Sequence, residues 1–342
     1  MIRSLTIAVL LVLAVGVGCG GGKAGPGARA TEAWLASTID GQPVGHAVYR
    51  CNALDDGFRF ESYVKMTLAM GGTPQRVESR SEIFTEPDLT LRSFSFSFGT
   101  AARSFSVRGN VAGDKLTIFG LAGQQQARVI ELKTNVYPMS ALGRFVVSRE
   151  LSTDSVYRLP VFDVTILDVV PVELRYFGRE KITVGGQEYN AHKVQTKLAR
   201  LEITTWLDDD GQALVEESPP AMRSERTTAQ ALLERNDESG KLDILAMFRV
   251  PVDTVIPEGE LVDRLRIEVS GVDTGDARFE WEGQRLLGAS PLVVEVTAAA
   301  VPDKPLPLPI GAEPDFLKPS VAIQSDDPEV RAKSREATGD AR

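Results

Sequence analysis

The chain has 342 residues, of which 43% are hydrophobic and 25% charged, and 38 Lys and Arg stand against 47 Asp and Glu for a formal net charge of −9. Such a length holds a sizeable core and room for two domains, and the composition is that of a globular protein. An acidic surface repels nucleic acid, and no basic patch or aromatic–basic interleaving along the sequence offsets it, so nucleic-acid binding is excluded.

In chain order, the first element is a short apolar run, Leu5 to Gly18, preceded by one positive charge at Arg3 and followed by small residues. That pattern predicts a secretory signal over residues 1–18, and the run is too short to span a bilayer comfortably. Cys19 stands at the cut. It resembles the lipobox of bacterial lipoproteins: Val17 and Gly18 fit, while Gly16 departs from the leucine usual there. The resemblance implies a lipid on the Cys19 sulfur, with the membrane as partner. Gly20, in place of aspartate, implies a cell-envelope location at the outer membrane, facing the periplasm. The sequence has two cysteines; with Cys19 acylated, Cys51 is left without a partner and no disulfide is expected.

Residues 19–31, rich in Gly and Ala, read as a flexible tether. An antiparallel β domain is expected over 32–240. Its clearest strand is Phe58 to Met70, where Phe58, Phe60, Val64, Met66 and Leu68 share one face and Arg59, Glu61 and Lys65 the other. Further strands are expected at 75–84, 91–98, 103–108, 115–120 and 128–132, with Gly- and Asp-rich turns between them. The segment Tyr137 to Val147 predicts a short helix with Pro138 in its first turn. Strands resume at 155–162, 172–184, 188–196, 201–208 and 213–216, and 227–235 reads as helical. A small β domain follows at 241–300, then a proline-rich linker and polar tail at 301–342. The expected fold is mainly β: a large antiparallel sheet or open β-barrel with one or two short helices, followed by a small β-unit.

Several stretches resemble the non-catalytic N-terminal region of bacterial exported transglutaminase-like proteins. They are Trp34 to Gly45, Leu91 to Phe96, Ile203 to Ala213 with Glu216 to Ser218, Phe316 to Pro319, and Ile323 to Val330. The family's catalytic Cys/His/Asp unit has no counterpart here. The resemblance therefore implies a non-catalytic accessory or interaction module, partnered by a separately encoded transglutaminase-like catalytic domain.

The residues themselves offer little chemistry. A thiolate needs an adjacent base. His46 and Cys51 are five apart on one expected strand and so face opposite ways, which leaves an approach of Cys51 and His192 in space as the only enzymatic route. Two separated histidines give no metal cluster, and the Asp208–Gly211 run lacks the spacing and late glutamate of a calcium loop. No cofactor is expected and no catalytic residue is assigned. One binding feature remains. The apolar faces bearing Phe58, Phe60, Val64, Met66, Leu68, Phe94, Phe96 and Phe98 form either closed core or an open cradle for an acyl chain, the mark of a hydrophobic-ligand carrier.

Overall fold

The structure is a computed structural model that describes residues 31–70, 72–100, 104–120, 127–198, 201–219, 221–234, 242–243, 263–270, 283–289, 291–297 and 328–338. The signal region, Cys19 and most of the tether therefore lie outside the described residues. The chain divides into two compact units, one of residues 1–249 with 319–342 and one of residues 250–318.

The first unit is built on one fifteen-stranded sheet. A meander of β1 (Thr31–Ile39), β2 (Gln42–Leu54), β3 (Gly57–Met70), β4 (Thr73–Thr85), β5 (Leu91–Thr100), β6 (Ser104–Ala112), β7 (Lys115–Phe119) and β8 (Arg128–Glu131) makes one half. The other half runs β9 (Tyr137–Pro138), β10 (Ser155–Asp163), β11 (Asp168–Val184), β12 (Gln187–Leu198), β13 (Leu201–Leu207), β14 (Ala213–Ser218) and β15 (Met222–Thr227). Within each half every strand pairs antiparallel with the next, except that β9 and β10 are parallel. The halves join where β15 pairs with β1, across Trp34–Thr227 to Ile39–Met222.

The strand order starts at β8 and ends at β9, and one side chain and one backbone hydrogen bond tie the first half to the segments beside β9 and β10. Arg128 of β8 donates from Nη1 to the Leu167 carbonyl at 3.1 Å, and its Nη2 lies 3.5 Å from Asp168. The Leu91 amide donates to the Val136 carbonyl at 2.8 Å. The result is an open barrel, mainly β, as the alternation predicted.

Among the described residues, one short helix packs into the interior. A 3₁₀ turn at Met139–Ala141, entered through the extended Pro138, leads into α1 (Leu142–Val147). Its Phe145 packs in the cluster formed by Leu35, Phe60, Met66, Phe94 and Phe162. Its Leu142 and Val146 pack on the other side with Val172, Leu174, Val194 and Ile203 of β11 to β13. The Arg144 guanidinium lies 4.2 Å from the Phe58 ring centroid, so even its charged residue covers apolar surface. Phe94 and Phe162, from opposite halves of the sheet, meet at 4.8 Å.

Three features depart from the sequence expectation. The segment Met222–Thr227, where no strand is expected and Thr227 is assigned to a helix, is the strand that closes the two halves. Helix α2 is shorter than expected, at Ala229–Glu234. Cys51, expected to lack a partner, is disulfide-bonded and wholly buried; the expectation rested on acylation removing the other cysteine.

The second unit contains a three-stranded antiparallel sheet, with β18 (Leu292–Thr297) between β16 (Arg264–Val269) and β17 (Gln284–Ala289). In the C-terminal tail, Pro328–Thr338 forms α3, whose described side chains are exposed.

Candidate functional site

The apolar face first considered as a cradle is closed. Phe60 is 1% exposed, and Val64, Met66, Leu68, Phe94 and Phe96 are buried with it, while Phe58 and Phe98 are partly buried against the same cluster. The cradle reading is corrected on this point. The face of β3 and β5 is roofed by α1 and β10, an arrangement that strand alternation alone does not reveal.

The open site lies on the opposite face. There the polar sides of β1 to β7 enclose a groove of about 1020 Å³. Register places its side chains in two adjacent rows that cross the strands. One row runs Trp34, Val48, Tyr63, Arg80, Ser97, Ser106. The other runs Arg50, Glu61, Glu82, Ser95, Arg108, Phe119, and beyond its Arg50 end, outside the groove lining, stands Glu32. The groove lining contains four arginines, Arg50, Arg59, Arg80 and Arg108, against two glutamates, Glu61 and Glu82. It is thus a cationic strip on an acidic protein.

These arginines differ in what holds them. Arg50 pairs with Glu32, which also accepts from Trp34 Nε1 at 2.5 Å. The Arg50 hydrogen bond, then that of Trp34, holds the Glu32 carboxyl below its usual range. Arg59 lies 2.9 Å from Glu61 and 2.7 Å from Glu82. Arg80 and Arg108 have no carboxylate within ion-pair distance among the described residues. Arg80 lies over the Tyr63 ring at 5.0 Å and Arg108 over the Phe119 ring at 5.9 Å. A guanidinium stacked this way keeps its in-plane N–H donors available to a ligand while its face is covered.

A second polar feature lies inside the barrel. Glu216 of β14 is buried, between Thr205 of β13 and Ser224 of β15 in register. Ser224 Oγ meets Ser37 Oγ at 2.9 Å, so a polar row crosses four strands through the core. Glu216 Oε2, Thr205 Oγ1 and Ser218 Oγ are buried without a hydrogen-bond partner among the described residues. Burial pushes the Glu216 carboxyl well above its ordinary range, and pushes the buried Tyr49 phenol up as well, with the Glu216 charge adding to that shift.

The Glu216 shift has a direct consequence for stability. The folded protein retains the Glu216 proton at pH values where the unfolded chain, with a carboxyl pKa near 4.5, releases it. This contribution is present in full below the unfolded pKa and is lost as pH rises through the raised native pKa. Glu216→Gln keeps the shape and removes the titration. It is expected to flatten the fall in melting temperature as pH rises above the unfolded carboxyl pKa near 4.5 and to raise stability on the alkaline side. Asp163, also raised by burial, leaves a residual slope of the same sign. Thermal melts across that range check this, and an unchanged slope would remove Glu216 as its source.

The remaining sequence candidates do not assemble. His46 lines the groove while Cys51 lies in the core, opposite faces as the odd spacing required. His192 Nδ1 lies 2.8 Å from Tyr176 Oη, and its Nε2 lies 3.8 Å from Asp209. Buried and disulfide-bonded, Cys51 offers no thiolate to a base. The acidic run is a knitted hairpin turn. Asp208 Oδ1 accepts from the amides of Asp210 at 3.0 Å and Gln212 at 2.8 Å, and Oδ2 lies 2.7 Å from Arg226. Among the described residues no group of three His, Cys, Asp or Glu could hold a metal ion, and no helix is long and apolar enough to cross a membrane. The groove itself was missed in the sequence, because its arginines come from four strands and become a cluster only through register.

No protein-family model matches the chain, and no curated protein does so. Four chains of solved structures are similar to this one, among them the following two. A β-barrel-like protein of the domain of unknown function DUF1849 from Brucella abortus is 11% identical with a TM-score of 0.47, over 58% of this chain and 95% of the other. A DUF1089 family protein from Pseudomonas aeruginosa is 13% identical with a TM-score of 0.32, over 58% of this chain and 96% of the other.

Proposed function

We propose that this protein is a non-catalytic, lipid-anchored module of the cell envelope that binds a ligand or partner in the groove on the polar face of β1 to β7. The observation that carries the binding role is the charge inversion: four arginines against two glutamates line one groove of a chain whose net charge is −9. A groove of about 1020 Å³ is large enough for an extended ligand. The non-catalytic part rests on the sequence resemblance, in which the stretches that match belong to the family's non-catalytic region. The accessory role beside a separately encoded transglutaminase-like domain rests on the sequence resemblance.

The anchor rests on Cys19 and the apolar run before it. The chain has two cysteines, so the disulfide form of Cys51 and a form lipidated at Cys19 are alternative states of the protein, with separable signatures; the anchor is proposed for the exported, lipidated form. Radiolabelled palmitate is expected to enter the wild-type protein and not Cys19→Ala, and the wild type alone is expected to partition with membranes. Label retained by the mutant, or an intact mass showing the two cysteines joined and no lipid, would remove the anchor from the proposal while leaving the groove reading intact.

A further inference from the structure

We infer that the groove's ligand is an acidic oligosaccharide, with its carboxylates on Arg80 and Arg108 and its hydroxyls on the serines between them. This inference rests on the reading of the groove as a binding surface.

Both arginines are exposed, lack a carboxylate partner among the described residues and are stacked on rings, over Tyr63 and Phe119 respectively. Their planar forks are therefore oriented and unused, which suits bidentate capture of a carboxylate. They sit on β4 and β6, in adjacent rows. A strand spacing of about 4.8 Å and a rise of about 3.4 Å per residue put their Cα atoms roughly 12 Å apart. One small anion cannot bridge that distance, whereas a chain with repeated anionic groups can.

What lies between them selects among such chains. Ser95 and Ser97 of β5 lie between the two arginines, and their hydroxyls both donate and accept. Glu82, directly opposite Ser95, adds a carboxylate that accepts from hydroxyls; with Glu61 it shares the single Arg59 guanidinium, so the pair still carries one net negative charge that repels further anions. The groove thus alternates cationic and hydroxyl-binding positions. A polyphosphate, charged at every unit and without hydroxyl donors, meets the Glu61–Arg59–Glu82 cluster, whose two carboxylates share one guanidinium and leave one net negative charge, unfavourably. An acidic peptide would gain most by adding a strand at a sheet edge, but these strands are paired on both sides. A sugar chain with one carboxylate per ring and free hydroxyls fits both kinds of position.

The test is titration calorimetry of the full exported chain with hexagalacturonate, maltohexaose, hexa-aspartate and polyphosphate. Hexagalacturonate is expected to bind, and neutral maltohexaose, hexa-aspartate and polyphosphate to bind at least tenfold more weakly. Arg80→Gln and Arg108→Gln should each weaken hexagalacturonate binding about tenfold or more with unchanged melting temperature. Arg158→Gln on β10, whose side chain is 83% exposed outside the groove, should leave it unaltered. Equal binding of hexa-aspartate or polyphosphate, lost in the same arginine variants, would overturn the saccharide class and leave the binding-module reading standing. Hexagalacturonate binding that survives both substitutions, or no binding of any of the four by folded protein, would overturn the inference outright.

Discussion

Phe60→Ala is expected to destabilise the first unit by about 3–5 kcal/mol, the range for removing a buried aromatic side chain. Phe60 is 1% exposed, stands between Cys51 of β2 and Ile83 of β4, and lies 6.3 Å from the Phe58 ring. Strands fixed by their ladders cannot collapse into the cavity, which places the cost toward the upper end. Urea unfolding should show a lower midpoint at unchanged slope. Added fatty acid should leave the midpoint where it is, because a closed core offers no site for a ligand that would favour the folded state. A cost below about 1 kcal/mol together with lipid-dependent stabilisation would restore the cradle. Phe119→Ala provides the contrast. That ring is 40% exposed on the groove face, and its removal should cost much less while lowering affinity for the groove ligand.

Gly57→Ala is the second large effect. A Cβ at Gly57 would lie 1.9 Å from the Thr85 carbonyl oxygen and 3.0 Å from its carbon, and the residue has φ +149. The obstacle is backbone of β4, which pairs with Phe58 through that same Thr85 and is buried. Relief therefore requires the β3–β4 ladder to open at its start. Backbone strain of about 1–3 kcal/mol adds to the loss of ladder hydrogen bonds at about 1 kcal/mol each, so a total near 3 kcal/mol or more is expected. Gly41→Ala separates strain from collision: φ there is +74, and nothing lies within 4 Å of the added atom. Its cost should stay near 1–2 kcal/mol, the strain alone. Thermal melts of both variants decide the matter, and equal losses would show that the collision at Gly57 is relieved at no cost.

Part of this protein was legible in its residue pattern. The period-two alternation of Phe58 to Met70 assigned Phe60, Val64, Met66 and Leu68 to one face, and the structure buries all four. It also separated His46 from Cys51, because side chains on a strand alternate regardless of what the strand packs against. The Asp208–Gly211 turn was equally local: the short Asp208 side chain reaches the amides two and four residues ahead.

What escaped depends on pairing across long separations. Met222–Thr227 carries Ser224 and Arg226 on the side that an apolar stripe would mark, so its strand character is masked; its role comes from joining β14 to β1. Glu216 reads as a polar strand end, yet the neighbouring strands bury it and so raise its pKa. The groove follows the same logic. Arg50, Arg59, Arg80 and Arg108 are scattered among acidic residues along the chain, and no window of sequence is basic. Antiparallel register brings them onto one face within a few strand spacings. The sequence by itself determined which side of each strand is apolar, since that depends only on neighbouring residues. The tertiary structure alone decided which apolar face is roofed and which charges meet, since both depend on what the sheet's curvature brings opposite.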